Sequence, residues 1–167
     1  AVLPATDDFH ARFSATQRSY TYFIHRKKDP FVAAYSWQCG FPGLDFDAMN
    51  EACQYLLGTH DFSCFEKVGG ANKTSICTIT EAFWKPYTPT LYTVIPSEAK
   101  ESDYWYFRVS ADRFLRNMVR AIVGTLIEVG RGKHDPAWVK ELIETGTRGD
   151  AGESVPGHAL FLSKVKY

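Results

Sequence analysis

Arg113, Arg116 and Arg120 recur three and four residues apart in the stretch DRFLRNMVRAIVGTLIEVGRGK, from Asp112 to Lys133. At about 100° per residue they fall within an arc of roughly 60° on a helix, with Asn117 and Gly124 beside them. Guanidinium groups along one edge offer rigid forks of donors matched to phosphates and carboxylates. The same stripe also describes an ordinary solvated helix face. A second concentration of chemistry lies in Arg18 to His25, where Tyr20, Tyr22 and Ile24 alternate onto one side of an expected strand. Arg12, Arg18, Arg26, Lys27 and Lys28 surround it. Rings interleaved with positive charge suit unpaired bases and their backbone; half-buried tyrosines are equally at home in a plain strand.

Other groupings exclude chemistries. His60, Asp61 and Ser63 lie close together in GTHDFSCFEK, but a hydrolytic triad is assembled by the fold rather than by adjacency, and no GxSxG elbow occurs. Phe62 and Phe65 read instead as plugs into the core, with Asp61 capping backbone donors. The loop VGGANKTS, Val68 to Ser75, carries Lys73 but lacks the glycine spacing of a phosphate-cradling loop. Cys39, Cys53, Cys64 and Cys77 form no CxxC pair and have no partnering His cluster, so they read as reduced, packed thiols rather than zinc ligands or a disulfide framework. With 19 Lys plus Arg against 19 Asp plus Glu, the net charge is zero, and any basic site must be local.

The elements that position these residues follow from periodicity. A chain of 167 residues with 45% hydrophobic content is read as one domain. Strands are expected at Arg18 to His25, Phe31 to Trp37, Ile76 to Trp84, Leu91 to Ile95 and Tyr104 to Ser110, with a last one in ALFLSKVKY. A helix capped by Asp45 or Asp47 buries Met49, Ala52, Cys53, Leu56 and Leu57 and ends at Gly58. The long helix runs from Asp112, as cap, to Gly130 or Gly132, burying Leu115, Met118, Val119, Ile122, Val123 and Leu126. A short helix follows, capped by Asp135 with Pro136 at its first position and Trp138, Val139, Leu142 and Ile143 inward. Strand runs beside helices without strict alternation predict an α+β domain, largely antiparallel, with helices on one face. No apolar run is long enough to span a membrane and no signal peptide is visible, which fits a cytoplasmic protein. Ala1 in place of an initiator Met reads as the start of a fragment or a processed product.

Four blocks carry a resemblance: FHARFSATQRSYTYFI (Phe9 to Ile24), GTHDFSCF (Gly58 to Phe65), FLRNMVRAIVGTLIEVGRGK (Phe114 to Lys133) and AGESVPGHALFLSKVKY (Ala151 to Tyr167). In order and spacing they resemble the tRNA pseudouridine synthase A family. The resemblance implies a synthase core of two ferredoxin-like halves, of which this chain is the second, as a C-terminal subdomain. It implies tRNA as partner, a homodimer for the full-length protein, and neither metal nor organic cofactor.

The family's nucleophilic Asp sits in an Arg-Thr-Asp-Ala-Gly-Val-His type motif, and no such segment occurs here. By resemblance, Tyr20 is the aromatic that stacks on the target base and Arg120, in the MVR triplet, is the cation that orients the missing Asp. Arg113 and Arg116 are candidates for phosphate contacts, and His10 and Arg12, in the FHARFSA block, for positions near the RNA. The family's Arg after the flexible loop is replaced near Cys77, and its Gly-Leu-Tyr-Leu type block reads Ala159-Leu160-Phe161-Leu162. The implied reaction is isomerisation of uridine to pseudouridine in the tRNA anticodon stem and loop, with the isolated chain inactive. The alternative is a non-catalytic RNA-binding or assembly module.

Overall fold

Gln17–His25 forms β1, the strand on which the rest of the sheet is laid. The computed structural model describes residues 4–67, 69, 73–90 and 103–167. On one side β1 pairs antiparallel with β5, Tyr104–Ala111; on the other it pairs antiparallel with β6, Leu160–Lys166, and parallel with the two-residue β2, Trp37–Gln38. Beyond β5 lie β4, Ile76–Pro86, and β3, Gly58–Asp61, both antiparallel to their neighbours. The described residues thus give six mostly antiparallel strands and an α+β fold, as expected.

Alternation sorts the side chains. The registers Tyr20 with Val109, Tyr22 with Phe107 and Trp84 with Phe107 put these residues on one face. Tyr22, Phe107, Val109 and Trp84 are buried there against the helices. The opposite face carries Phe23, Tyr106, Phe83 and Phe161, whose rings meet one another.

Helix α1, Phe46–Gln54, starts where Asp45 accepts a hydrogen bond from Ala48 N at 2.9 Å, and buries Met49, Ala52 and Cys53. Helix α2, Met118–Gly130, is buried at every position except Arg120 and Glu128. Helix α3, Trp138–Thr145, buries Val139 and Leu142. Each of the four cysteines is buried and unpaired. Among the described residues no helix is long and apolar enough to cross a membrane.

Several expectations need correction. The strand expected over Phe31 to Trp37 is only Trp37–Gln38, because residues 30–35 turn, with Asp29 accepting from Phe31 N. Gly58–Asp61, expected as loop, pairs as β3, since Gly58 at φ +102 turns the chain straight from α1 into the sheet. Helix α3 starts at Trp138 rather than Pro136, and Asp135 closes a preceding turn through its carbonyl. The long helix does not begin at Asp112. The Asp112 carboxylate accepts from Thr78 N at 2.8 Å and Arg113 N at 2.7 Å, tying the segment to β4, and the helix starts only after Asn117. Its end is as expected, with Gly132 at φ +69 donating to Val129 O. The strand expected over Leu91 to Ile95 lies outside the described residues.

Candidate functional site

A cavity of ≈ 610 Å³ opens where the helix-facing side of β1 meets the turn leading into α2. Its walls include Arg12, Tyr20, Phe114, Arg116, Asn117 and Leu160. The Tyr20 ring, half-buried, is held edge-on by Phe114, with centroids 5.1 Å apart and planes at 89°. The perpendicular contact with Phe114 fixes the orientation of the phenol ring, which lines the cavity beside it.

The cations distribute themselves differently from the expected helical edge. Arg113 and Arg116 precede α2, so no stripe of three arginines forms. Arg113 Nη1 donates to Thr74 O at 3.2 Å, away from the cavity, whereas Arg116 is exposed on its wall. Arg12 lines the same wall and its guanidinium lies 5.5 Å from the Phe13 ring. His10 does not join them: its Nδ1 accepts from Arg12 N at 3.1 Å and Phe13 N at 3.3 Å, which shapes the turn that presents Arg12. Arg18, whose role spacing could not reveal, fixes that turn by donating to Arg12 O, Ala15 O and Asp112 O.

Arg120 lies one turn further along α2, half-buried. Its Nε donates to Val155 O at 2.6 Å, and Val155 N returns a bond to Arg120 O at 3.3 Å. Gly157 lies beside the guanidinium: a Cβ there would stand 3.8 Å from Cζ and Nη1. Tyr22 donates its hydroxyl to Pro156 O at 2.8 Å; burial pushes its phenol far above the ordinary tyrosine range, with the Arg120 charge opposing. Among the described residues no Asp or Glu forms an ion pair with Arg120. A partly desolvated guanidinium committed through Nε alone keeps its outer fork for an incoming anion.

The hold of residues 151–157 on Arg120 is not legible in the sequence pattern. Residues 152–153 lie so close against α2 that no side chain fits between them at Gly124 and Gly152. A Cβ on Gly124 would lie 1.7 Å from Glu153 O. Asn117, at φ +68, is the only non-glycine described with a positive φ; its Nδ2 donates to Ser154 Oγ. A lone Asn within the apolar run FLRNMV was the available signal for a left-handed break. His60 spends its Nε2 on Leu57 O, which removes it from any triad with Ser63. Among the described residues there is no group of three His, Cys, Asp or Glu that could hold a metal.

Comparison with known proteins gives the family. The profile of a family described as tRNA pseudouridine synthase matches residues 52–167. The chain is 47% identical over 167 residues to the tRNA pseudouridine synthase A of Parabacteroides distasonis, covering 99% of this chain and 60% of the relative. It is 47% identical to that of Bacteroides fragilis over 96% of this chain and 58% of the relative, and 36% identical to that of Bacillus subtilis over 98% and 61%. The chain spans about 60% of the length of the curated relatives it matches.

Proposed function

The chain belongs to the tRNA pseudouridine synthase family, and from that membership we propose that it is the base-holding, C-terminal half of an enzyme that isomerises uridine to pseudouridine in the anticodon stem and loop of tRNA. The single observation that carries this reading is a half-buried Arg120 with no carboxylate partner among the described residues, on the helix whose start lines the same cavity as Tyr20.

A uracil in a stacked helix is out of reach, so the nucleotide is flipped out at a cost of a few kcal/mol, offset by phosphate contacts elsewhere. Arg12 and Arg116, on the cavity wall, are the proposed phosphate contacts. Arg113 and His10, both occupied by backbone partners, are proposed to shape the rim near the RNA. Tyr20 supplies a stacking face worth roughly 1 to 3 kcal/mol.

The nucleophile is an Asp contributed from outside these 167 residues, and Arg120 keeps it ionised and oriented, since an adjacent cation lowers a carboxylate pKa. Attack by that Asp allows the N1 glycosidic bond to break. The uracil turns and rejoins through C5 as the Asp carboxylate is released, and the proton lost from C5 balances the one gained at N1. No cofactor enters the scheme.

We further propose that the full-length protein works as a cytoplasmic homodimer. The ring cluster of Phe23, Phe83, Tyr106 and the exposed Phe161, on the sheet face opposite the helices, supports a second copy packing there.

The test is to incubate unmodified tRNA with the chain joined to the N-terminal region its relatives have, and to assay both mobility and pseudouridine. Conversion supports the synthase reading. A mobility shift without pseudouridine overturns it in favour of a binding module.

A further inference from the structure

We infer that Arg148 is a positioning residue for Arg120, acting through Ser154 and the strap of residues 151–157. The inference rests on the role given to Arg120 above. Arg148 touches neither the cavity wall nor the Arg120 side chain, yet its planar fork closes on the strap at three points. Nη1 donates to Ala151 O at 3.4 Å and Gly152 O at 3.1 Å, and Nη2 to Ser154 Oγ at 2.9 Å.

Ser154 is where two elements meet. Its Oγ also accepts from Asn117 Nδ2, and Asn117 both lines the cavity and opens α2 one turn before Arg120. The next residue, Val155, supplies the carbonyl that takes Arg120 Nε. A closed circuit results: Arg148 to Ser154, Ser154 to Asn117, Asn117 along α2 to Arg120, and Arg120 back to Val155. The far side of the strap is pinned independently, by Gly152 N donating to Thr125 Oγ1 at 2.9 Å and by the close approach at Gly124. Removing Arg148 therefore leaves the strap attached to α2 but takes one of its two side-chain donors from Ser154, loosening the Ser154–Val155 segment that Asn117 and Arg120 still hold. A planar fork with fixed donor directions suits such a clamp, and a lysine ammonium cannot span the three acceptors at once.

The test is hydrogen exchange at the Arg120 Nε–H, followed by nitrogen-15 NMR on the 167-residue chain, together with its thermal unfolding. Arg148→Ala is expected to speed exchange at that proton by at least about fivefold, the factor corresponding to one hydrogen bond of ordinary net strength. Backbone amide shifts of the sheet stay unchanged. Ser154→Ala gives the same acceleration and Ser154→Thr, which keeps the hydroxyl, does not. Should Arg148→Ala fail to fold, the Ser154 pair decides alone. Unaltered exchange in the folded variants overturns the inference.

In the protein carrying the N-terminal region, Arg148→Ala lowers kcat by roughly ten- to a hundredfold with KM for tRNA unchanged, as a displaced catalytic group does. Faster exchange with full kcat would uphold the positioning of the side chain and overturn the role assigned to Arg120.

Discussion

The rings of Phe114 and Tyr20 stand perpendicular, at 5.1 Å and 89°, so a residue of the turn leading into α2 fixes the orientation of a ring on β1. If that ring is the stacking platform, Tyr20→Ala weakens tRNA binding by about 1–3 kcal/mol. Tyr20→Phe, which preserves the ring, binds within a small factor of the parent chain. Titration of fluorescent anticodon stem-loop measures both. Equal affinity for Tyr20→Ala and the parent would show that the ring does not meet a base.

Gly124→Ala is expected to destabilise the fold, against the usual helical preference. In a free helix the change would gain about 1 kcal/mol. Here the new Cβ would lie 1.7 Å from Glu153 O, a backbone atom that cannot rotate away. Helix and strap must part, and a loss of 1–3 kcal/mol or more is expected, of the order of overpacking in a core. Denaturant unfolding followed by circular dichroism reads it.

Acid should weaken the protein through His25. Burial lowers its pKa first of all, Asp29 opposing and His158 adding to the fall. Its Nδ1 meets Ser36 Oγ at 3.0 Å, while Nε2 is buried without a partner. The folded state therefore keeps this ring neutral while the unfolded chain takes up a proton near pH 6.5. Stability from this group is complete above that pH and falls as pH drops through it towards the lower folded pKa. Urea midpoints between pH 7.5 and 5 are expected to decline, with a shallower slope in His25→Gln.

The cysteines are expected to be inert in the native state. Burial raises the thiols of Cys39 and Cys77 to about 11 and that of Cys64 to about 12, and pushes Cys53 higher still. A thiolate is the reactive species. Labelling with a maleimide at pH 8 should be negligible until denaturant is added, when all four react. Rapid modification of any of them in the folded chain would contradict the packing described.

Much of the sheet and the first helix was legible in the sequence. β1, β4, β5 and β6 were legible from their runs of β-branched and aromatic residues, and α1 has its Asp45 cap and apolar stripe. What could not be read was set by contacts distant in sequence. Periodicity continued the α2 pattern back to Asp112, but the tie from Asp112 to Thr78 and the left-handed Asn117 break it, which scatters the expected arginine edge. β3 was hidden because four residues with exposed ends carry little pattern of their own, and pairing with β4 makes the strand. Tyr20 and Arg120 are singled out by the family blocks rather than by periodicity. The strap that holds Arg120 was invisible, because its work is done by backbone carbonyls and by two glycines whose value lies in the side chain they lack.

The role proposed for Arg120 is to serve a nucleophile supplied from outside these 167 residues. The most direct measurement is pseudouridine formation on unmodified tRNA by the 167 residues alone, by the chain with the N-terminal region of its relatives, and by that longer form carrying Arg120→Ala. No conversion is expected from the chain alone, conversion is expected from the longer form, and removing Arg120 should cost roughly a hundred- to a thousandfold, as deleting one preorganised charge partner does. Conversion by the 167 residues alone would place the nucleophile among the carboxylates of this chain and contradict the roles assigned to Tyr20 and Arg120.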